Sequence, residues 1–189
     1  YNALKIMSEL AAKNEEKDKV KMYEKMATKC KSAFESKFYN KKRKCLYDVL
    51  GDGKIRPNQL FALSLTYPVL DVNSEEAKEM FETVTKKLFN KYGLKTLATG
   101  EEGYIAVYEG DSFKRDMSYH QGIVWVWPIG LYHDAFKNII DDEKDRLEKE
   151  KLKIEYEKFT KSVYSCFKTE INAEEGIGSI SEVYSSQTP

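Results

Sequence analysis

Apolar residues recur at steps of three and four along almost the whole chain. That spacing gathers them on one face of a helix and leaves little room for strands. Leu4, Met7, Leu10 and Ala11 make a first stripe. Val20, Tyr23, Ala27, Cys30, Phe34 and Phe38 make a clearer second one, with Lys and Glu on the other faces. Pro57 suits the first turn of a third helix running through Leu60, Phe61, Leu63 and Leu65 until Pro68 stops it. Ser74 caps a fourth, with Met80, Phe81, Val84 and Leu88 inward and Tyr92-Gly93 closing it. A fifth is expected at about residues 125–140. A sixth is expected at about 142–168, with Leu147, Ile154, Val163 and Phe167 among its apolar positions. The predicted class is all-α. A small hairpin over residues 45–55, around Gly51-Asp52-Gly53, is the main expected strand content.

The helices alternate in character. The second, fourth and sixth are charged on one face, whereas the third and fifth are apolar nearly all round, as buried helices are. Inner and outer layers of paired helices follow, either as a toroid or as a repeat solenoid. No fixed-period self-similarity is visible, so the toroid is the expected form. The stretch 95–121, dotted with Gly100, Gly103 and Gly110, reads as one long loop. Loops of that length inside domains are commonly functional.

Composition narrows the function. With 31 basic against 31 acidic residues there is no cationic surplus for phosphate backbones. The one dense basic run, Lys41-Lys42-Arg43-Lys44, reads as a solvated loop, and no nucleic-acid partner is expected. The longest apolar run, residues 60–70, holds Ser64, Thr66 and Pro68 and is far shorter than the roughly 20 residues of a spanning helix, so no membrane span is expected. Cys30, Cys45 and Cys166 are odd in number and scattered, which points to a reducing, cytoplasmic setting. Two histidines without HExxH spacing and no paired cysteines leave no metal site and imply no cofactor. The first residue is Tyr1 rather than Met, and the chain reads as cut from something longer.

Unusual residues collect just before the apolar helices, in Lys54-Ile55-Arg56-Pro57-Asn58-Gln59, Tyr108-Glu109-Gly110-Asp111 and Tyr119-His120-Gln121-Gly122, and again at Tyr1-Asn2. If the inner helices run parallel, these loops meet at one end and build a polar, aromatic pocket. Only four of the 31 basic residues are Arg, and Arg56 and Arg115 fall in these loops, where a planar fork makes specific contacts. Aromatic rings beside Asn, Gln, His, Arg and carboxylates suit a sugar, which has an apolar face to stack and hydroxyls to bond. Trp127 is assigned to the core, Trp125 is open between core and site, His133 is a core or surface residue, and His120 is functional. On chemistry alone Glu109, Asp111 and Glu182 are all candidates for a working carboxylate.

IRPNQLFALSL, YGLKTL, GYIAVYEGD, RDMSYHQGIVWVWPIGLY and the late GIGSISEVY resemble, in order and over essentially the whole chain, the C-terminal glucosidase domain of glycogen debranching enzymes, the bacterial and archaeal kind in particular. The resemblance implies an (α/α)6 toroid that hydrolyses α-1,6-glucosidic branch linkages of glycogen or a branched α-glucan by an inverting, two-carboxylate route. It implies Glu182 as the general base. It also implies that Arg56, Asn58, Gln59, Glu109, Asp111, Tyr119, His120, Gln121 and Trp125 shape the glucose subsite. The family's toroid has twice as many helices as this chain supplies, so residues 1–189 read as one partial domain, the second half, ending at Thr188-Pro189 before the last inner helix. The general acid is then an Asp outside the chain. The isolated chain is expected to be inactive and to self-associate, or to expose an apolar face, through flanks its missing half would cover. One departure is Val126, where many relatives have Pro between the two tryptophans. The alternatives are a noncatalytic helical module that binds carbohydrate or protein, and an (α/α)6 glycosidase of another linkage.

Overall fold

The computed structural model describes residues 1–172 and 178–187. The first two residues of GIGSISEVY, and Thr188 and Pro189, lie outside the described residues.

Helix α1 (Asn2–Lys13) packs against α2 (Lys17–Phe38). Small side chains make the contact: Ser8, Ala11 and Ala27 are buried there, and Lys5 bridges to Glu24 at 2.8 Å. The stripe read from Leu4, Met7 and Leu10 is therefore only partly inward. Met7 and Leu10 are 41% and 45% exposed, and Ile6 is exposed beside them.

After α2 the chain turns through a two-strand hairpin, β1 (Tyr39–Asn40) with β2 (Cys45–Leu46), and the basic run 41–44 is its loop. The hairpin thus lies earlier than the expected residues 45–55, where only an isolated bridge joins Val49 to Asp52 beside Gly51. The expected third helix is short. A 3-10 turn, Pro57–Leu60, passes into α3 (Phe61–Ser64), and Leu65 is already extended, so the helix stops before Pro68.

Helix α4 (Glu75–Leu88) starts where Ser74 accepts a hydrogen bond from Ala77 N, as its sequence predicts. It ends at Leu88 rather than at Tyr92-Gly93. Phe89–Asn90 (β3) instead turns back into Gly93–Lys95 (β4). Gly93 permits this because a Cβ there would lie 1.9 Å from the carbonyl oxygen of Trp125 on the neighbouring strand. The 95–121 stretch is not one loop either: Asp111 caps a helix, α5 (Ser112–Ser118). Residues Val124–Trp125 form β5, so α6 begins at Pro128 and runs to Asp142. Proline at the first helical position fixes that start. Helix α7 (Arg146–Ile171), capped by Asp145, follows, and Val183–Tyr184 (β6) completes an antiparallel sheet in the order β3-β4-β5-β6.

The core lies where α3, α4 and α6 meet β2 and β4. It is built from Leu60, Leu63, Met80, Val84, Leu88, Leu94, Phe136 and Ile139, among others. Tyr132 stacks on Phe81, 4.8 Å between centroids. Helix α6 carries six buried residues and α7 none, but α4, expected in the outer layer with α7, buries five and helps to build the core. The chain is mainly helical with a minor sheet.

One ion pair links α4 to the end of α6. Lys78 Nζ lies 2.7 Å from Glu143 Oε2, and only 9% of the Glu143 side chain is exposed. The ammonium, helped by the Asp145 amide, holds the Glu143 carboxyl well below its ordinary range, at about 2. The folded state therefore gains stability above the unfolded carboxyl pKa of about 4.3 and loses it as pH falls toward 2. Urea unfolding of the chain at stepped pH should show this loss, with a shallower slope in Glu143→Gln and a smaller effect at high salt.

Candidate active site

The Arg56 loop is anchored first. Ala98 N donates to Ile55 O at 3.1 Å, and Ile55 N donates to Glu101 Oε1. From that position the Arg56 guanidinium reaches three acceptors, namely Thr96 O at 3.1 Å, His120 O at 2.7 Å and Gln121 Oε1 at 3.0 Å. Arg56 thus clamps the 119–122 loop onto the 95–98 segment, so the donors expected to hold a sugar hold the scaffold instead. Gln59 is similarly occupied. It is buried, accepts from Leu46 N and donates to Arg56 O.

Gly122 makes the loop possible. Its φ is +139°, a Cβ would lie 2.6 Å from Ile105 O, and its amide donates to the buried Thr96 hydroxyl at 2.9 Å. The turn presents Tyr119 and His120 against Trp125. The indole Nε1 donates to Tyr119 O at 2.8 Å, the His120 ring stacks on the indole at 5.3 Å and 15°, and Tyr119 meets it edge-on at 4.6 Å. Trp125 is half-buried and belongs to this cluster rather than to the main core.

Glu182 arrives from far along the sequence. β6 pairs with β5, setting Val183 opposite Trp125, and Val126 N donates to Glu182 O at 3.3 Å. The residue expected on a flexible Gly/Ser loop is therefore fixed by a sheet. Its carboxylate accepts the Tyr119 hydroxyl at 2.8 Å, a bond that pushes the Tyr119 pKa above the ordinary tyrosine value and keeps that hydroxyl a donor. The segment after β6 holds the third loop. Tyr108 N donates to Ser185 Oγ, Ser186 N donates to Ala106 O, and the Tyr108 and Tyr119 rings lie 5.8 Å apart. Glu109 is exposed, and Asp111 spends Oδ1 on the Lys114 amide as the cap of α5.

The structure brings Arg56, Tyr119, His120, Gln121, Trp125 and Glu182 together, with the Tyr108 loop beside them. Tyr1, Asn2 and Asn58 line a separate cavity of about 280 Å³, with Tyr47, Asp48 and Phe61. Two residues escaped the sequence reading. Asp48 pairs with Asn58 at 2.9 Å. Trp127, assigned to the core, is 51% exposed and lies 6.2 Å from the Phe61 ring. His133 sits at the surface of α6 between Asp134 and Tyr156. Among the described residues no group of three or more His, Cys, Asp or Glu is placed to hold a metal ion. No described helix is long and apolar enough to cross a membrane.

The loops of this helical scaffold bring stacked aromatics, a histidine, amides and a carboxylate into one cluster. The amylo-alpha-1,6-glucosidase family covers residues 1–189, and the chain belongs to that family. It is thereby a member of the glycoside hydrolases of glycogen debranching, with a glucan as the family's substrate.

Proposed function

We propose that this chain carries the water-activating side of an inverting α-1,6-glucosidase site, with Glu182 as general base. The observation that supports it most is the Tyr119–Glu182 hydrogen bond at 2.8 Å, which aims a sheet-anchored carboxylate at the aromatic cluster. In this reading Glu182 takes a proton from a water whose oxygen attacks the anomeric carbon. The bond from that carbon to the 6-oxygen of the branch point breaks, and a second carboxyl protonates the departing oxygen from the opposite face. The two carboxyls stand roughly 6.5–9.5 Å apart in such enzymes, leaving room for the water. His120 and Trp125 offer the stacking wall, and Gln121 and Glu109 face the hydroxyls. The helical pairs form part of an (α/α)6 toroid, with the starts of α3 and α6 at the site end.

Proton NMR of the first glucose released from a phosphorylase-limit dextrin by active enzyme carrying this chain tests the reading. The β anomer should appear first. Initial α anomer would mean retention and would remove Glu182 from the role of base.

Tyr119→Phe separates a catalytic site from a mere binding module. It frees the Glu182 carboxylate from its side-chain donor in the cluster, so kcat should fall while the affinity for a glucose-like inhibitor stays within twofold. A fall in affinity with no separate fall in kcat would favour the noncatalytic reading.

A further inference from the structure

We propose that Phe61 and Trp127, together with the Asp48–Asn58 pair, form a second sugar subsite that holds a further unit of the glucan chain outside the Glu182 cluster. The inference rests on the reading that the chain takes an α-glucan, and it does not depend on Glu182 being the base.

Two large aromatic side chains lie side by side, each about half exposed. Phe61 is 40% and Trp127 51% exposed, their centroids are 6.2 Å apart and their planes differ by 32°. Such a shallow V, open to water, suits the apolar face of a pyranose. Phe61 starts α3 and Trp127 caps the start of α6, and α3 packs on α6. The platform is therefore carried by rigid elements, not by a loose loop. Phe61 also forms one wall of the 280 Å³ cavity, whose polar side is Asp48 and Asn58. Asn58 Nδ2 donates to Asp48 Oδ1 at 2.9 Å, which fixes both groups and turns the Asn58 carbonyl and the second Asp48 oxygen into acceptors for sugar hydroxyls. A cavity of that volume is smaller than the roughly 300–1,000 Å³ of drug-sized sites and suits one sugar ring.

The position relative to the Glu182 cluster is set by the chain itself. Trp127 follows two residues after Trp125, which pairs with Val183, and Asn58 follows two residues after Arg56, which clamps the His120 loop. A glucan lying against His120 and Trp125 extends naturally onto Trp127 and Phe61. The chemistry recognised is a chain of pyranose units with free hydroxyls, and a single glucose would not span both places.

The chain contains only two tryptophans, so an emission change that Trp127→Phe removes belongs to that indole. Titrating the parent chain with maltopentaose should give a saturable change in emission that Trp127→Phe loses. Trp127→Ala and Phe61→Ala should each raise the Kd for maltopentaose at least tenfold by calorimetry, Asp48→Asn should raise it severalfold, and Glu182→Gln should leave it within twofold. Circular dichroism should show that both alanine variants keep their helices, and since each ring is about half buried a modest fall in Tm is expected without loss of fold. If maltopentaose leaves Trp127 emission unmoved, or if the ring truncations leave its Kd unchanged, the subsite is wrong whatever Glu182 does. If Trp127→Ala instead turns an associated chain into a monomer in sedimentation without altering glucan affinity, the platform is a protein interface and the proposal falls. If Glu182→Gln keeps full turnover while the binding pattern holds, the catalytic assignment fails and the subsite stands.

Discussion

Glu182→Gln should lower the kcat of active enzyme carrying this chain by about 10²–10⁴, the usual cost of losing a positioned general base, and leave the affinity for a glucose-like inhibitor nearly intact. The amide keeps the local geometry. Its oxygen can still accept the Tyr119 hydroxyl, and Val126 N bonds to the backbone carbonyl of residue 182, which the substitution does not touch. What disappears is the capacity to take a proton from water. Glu109→Gln and Asp111→Asn make the contrast. Both groups are expected to hold hydroxyls, so both variants should raise KM and weaken the inhibitor as well. Asn caps a helix about as well as Asp, so Asp111→Asn leaves α5 in place and the comparison is free of a folding effect. Steady-state kinetics on limit dextrin with inhibitor titrations gives all three quantities. A Glu182→Gln enzyme with normal kcat and weakened inhibitor binding would assign Glu182 to substrate binding.

Gly93→Ala should produce the largest loss of stability. A Cβ at this position would meet Trp125 O at 1.9 Å and Trp125 C at 2.7 Å, and a strand carbonyl cannot rotate aside as a side chain can. Overpacking ordinarily costs 1–3 kcal/mol, so a backbone clash of this kind should cost about 3 kcal/mol or more. For a chain of this length that corresponds to a fall in Tm of roughly 6–12 °C. The strand that must give way, β5, carries Trp125 and holds β6, so the indole and Glu182 shift together and activity falls with stability. Gly130→Ala is the control. It lies inside α6 with nothing within 4 Å of an added Cβ, and alanine is favoured over glycine in a helix by about 1 kcal/mol. Urea unfolding should therefore move in opposite directions for the two variants. Equal stability of Gly93→Ala and the parent would mean that β4 and β5 do not approach as closely as described.

The long helices were legible because each carries its own period. The spacing in α2, α4, α6 and α7 and the cap at Ser74 are local signals, and local signals survive folding. Strands of two or three residues have no period to read. Phe89–Asn90, Gly93–Lys95, Val124–Trp125 and Val183–Tyr184 exist through pairing between segments far apart in the chain, Trp125 with Val183 in particular. Helix α5 escaped for a related reason. Apart from Ser118 its residues are exposed, so it shows no buried stripe, and its only local mark is the cap at Asp111.

The candidate site was legible only as a set of residues drawn together. Aromatic and polar residues before apolar helices pointed to Arg56, the 119–122 loop and Trp125, and the family resemblance added Glu182. Side-chain direction was not legible. Arg56 and Gln59 turned inward to hold the scaffold, whereas Trp127, whose size suggested burial, turned out to solvent at a helix start. Asp48 stood in a turn with no pattern around it, and its pairing with Asn58 depends on the 3-10 turn at Pro57.

Chemical rescue tests the assignment of the base most directly. In an inverting site emptied of its base carboxylate, azide can enter from the face opposite the leaving group. Its nitrogen bonds to the anomeric carbon as the bond to the branch oxygen breaks, and the general acid protonates that oxygen. Adding sodium azide to the Glu182→Gln enzyme with an α-1,6-linked substrate should restore turnover and yield β-glucosyl azide, identified by NMR, with no such product from the parent enzyme or from Glu109→Gln. Rescue of Glu109→Gln and not of Glu182→Gln would make Glu109 the base and contradict the role assigned to Glu182.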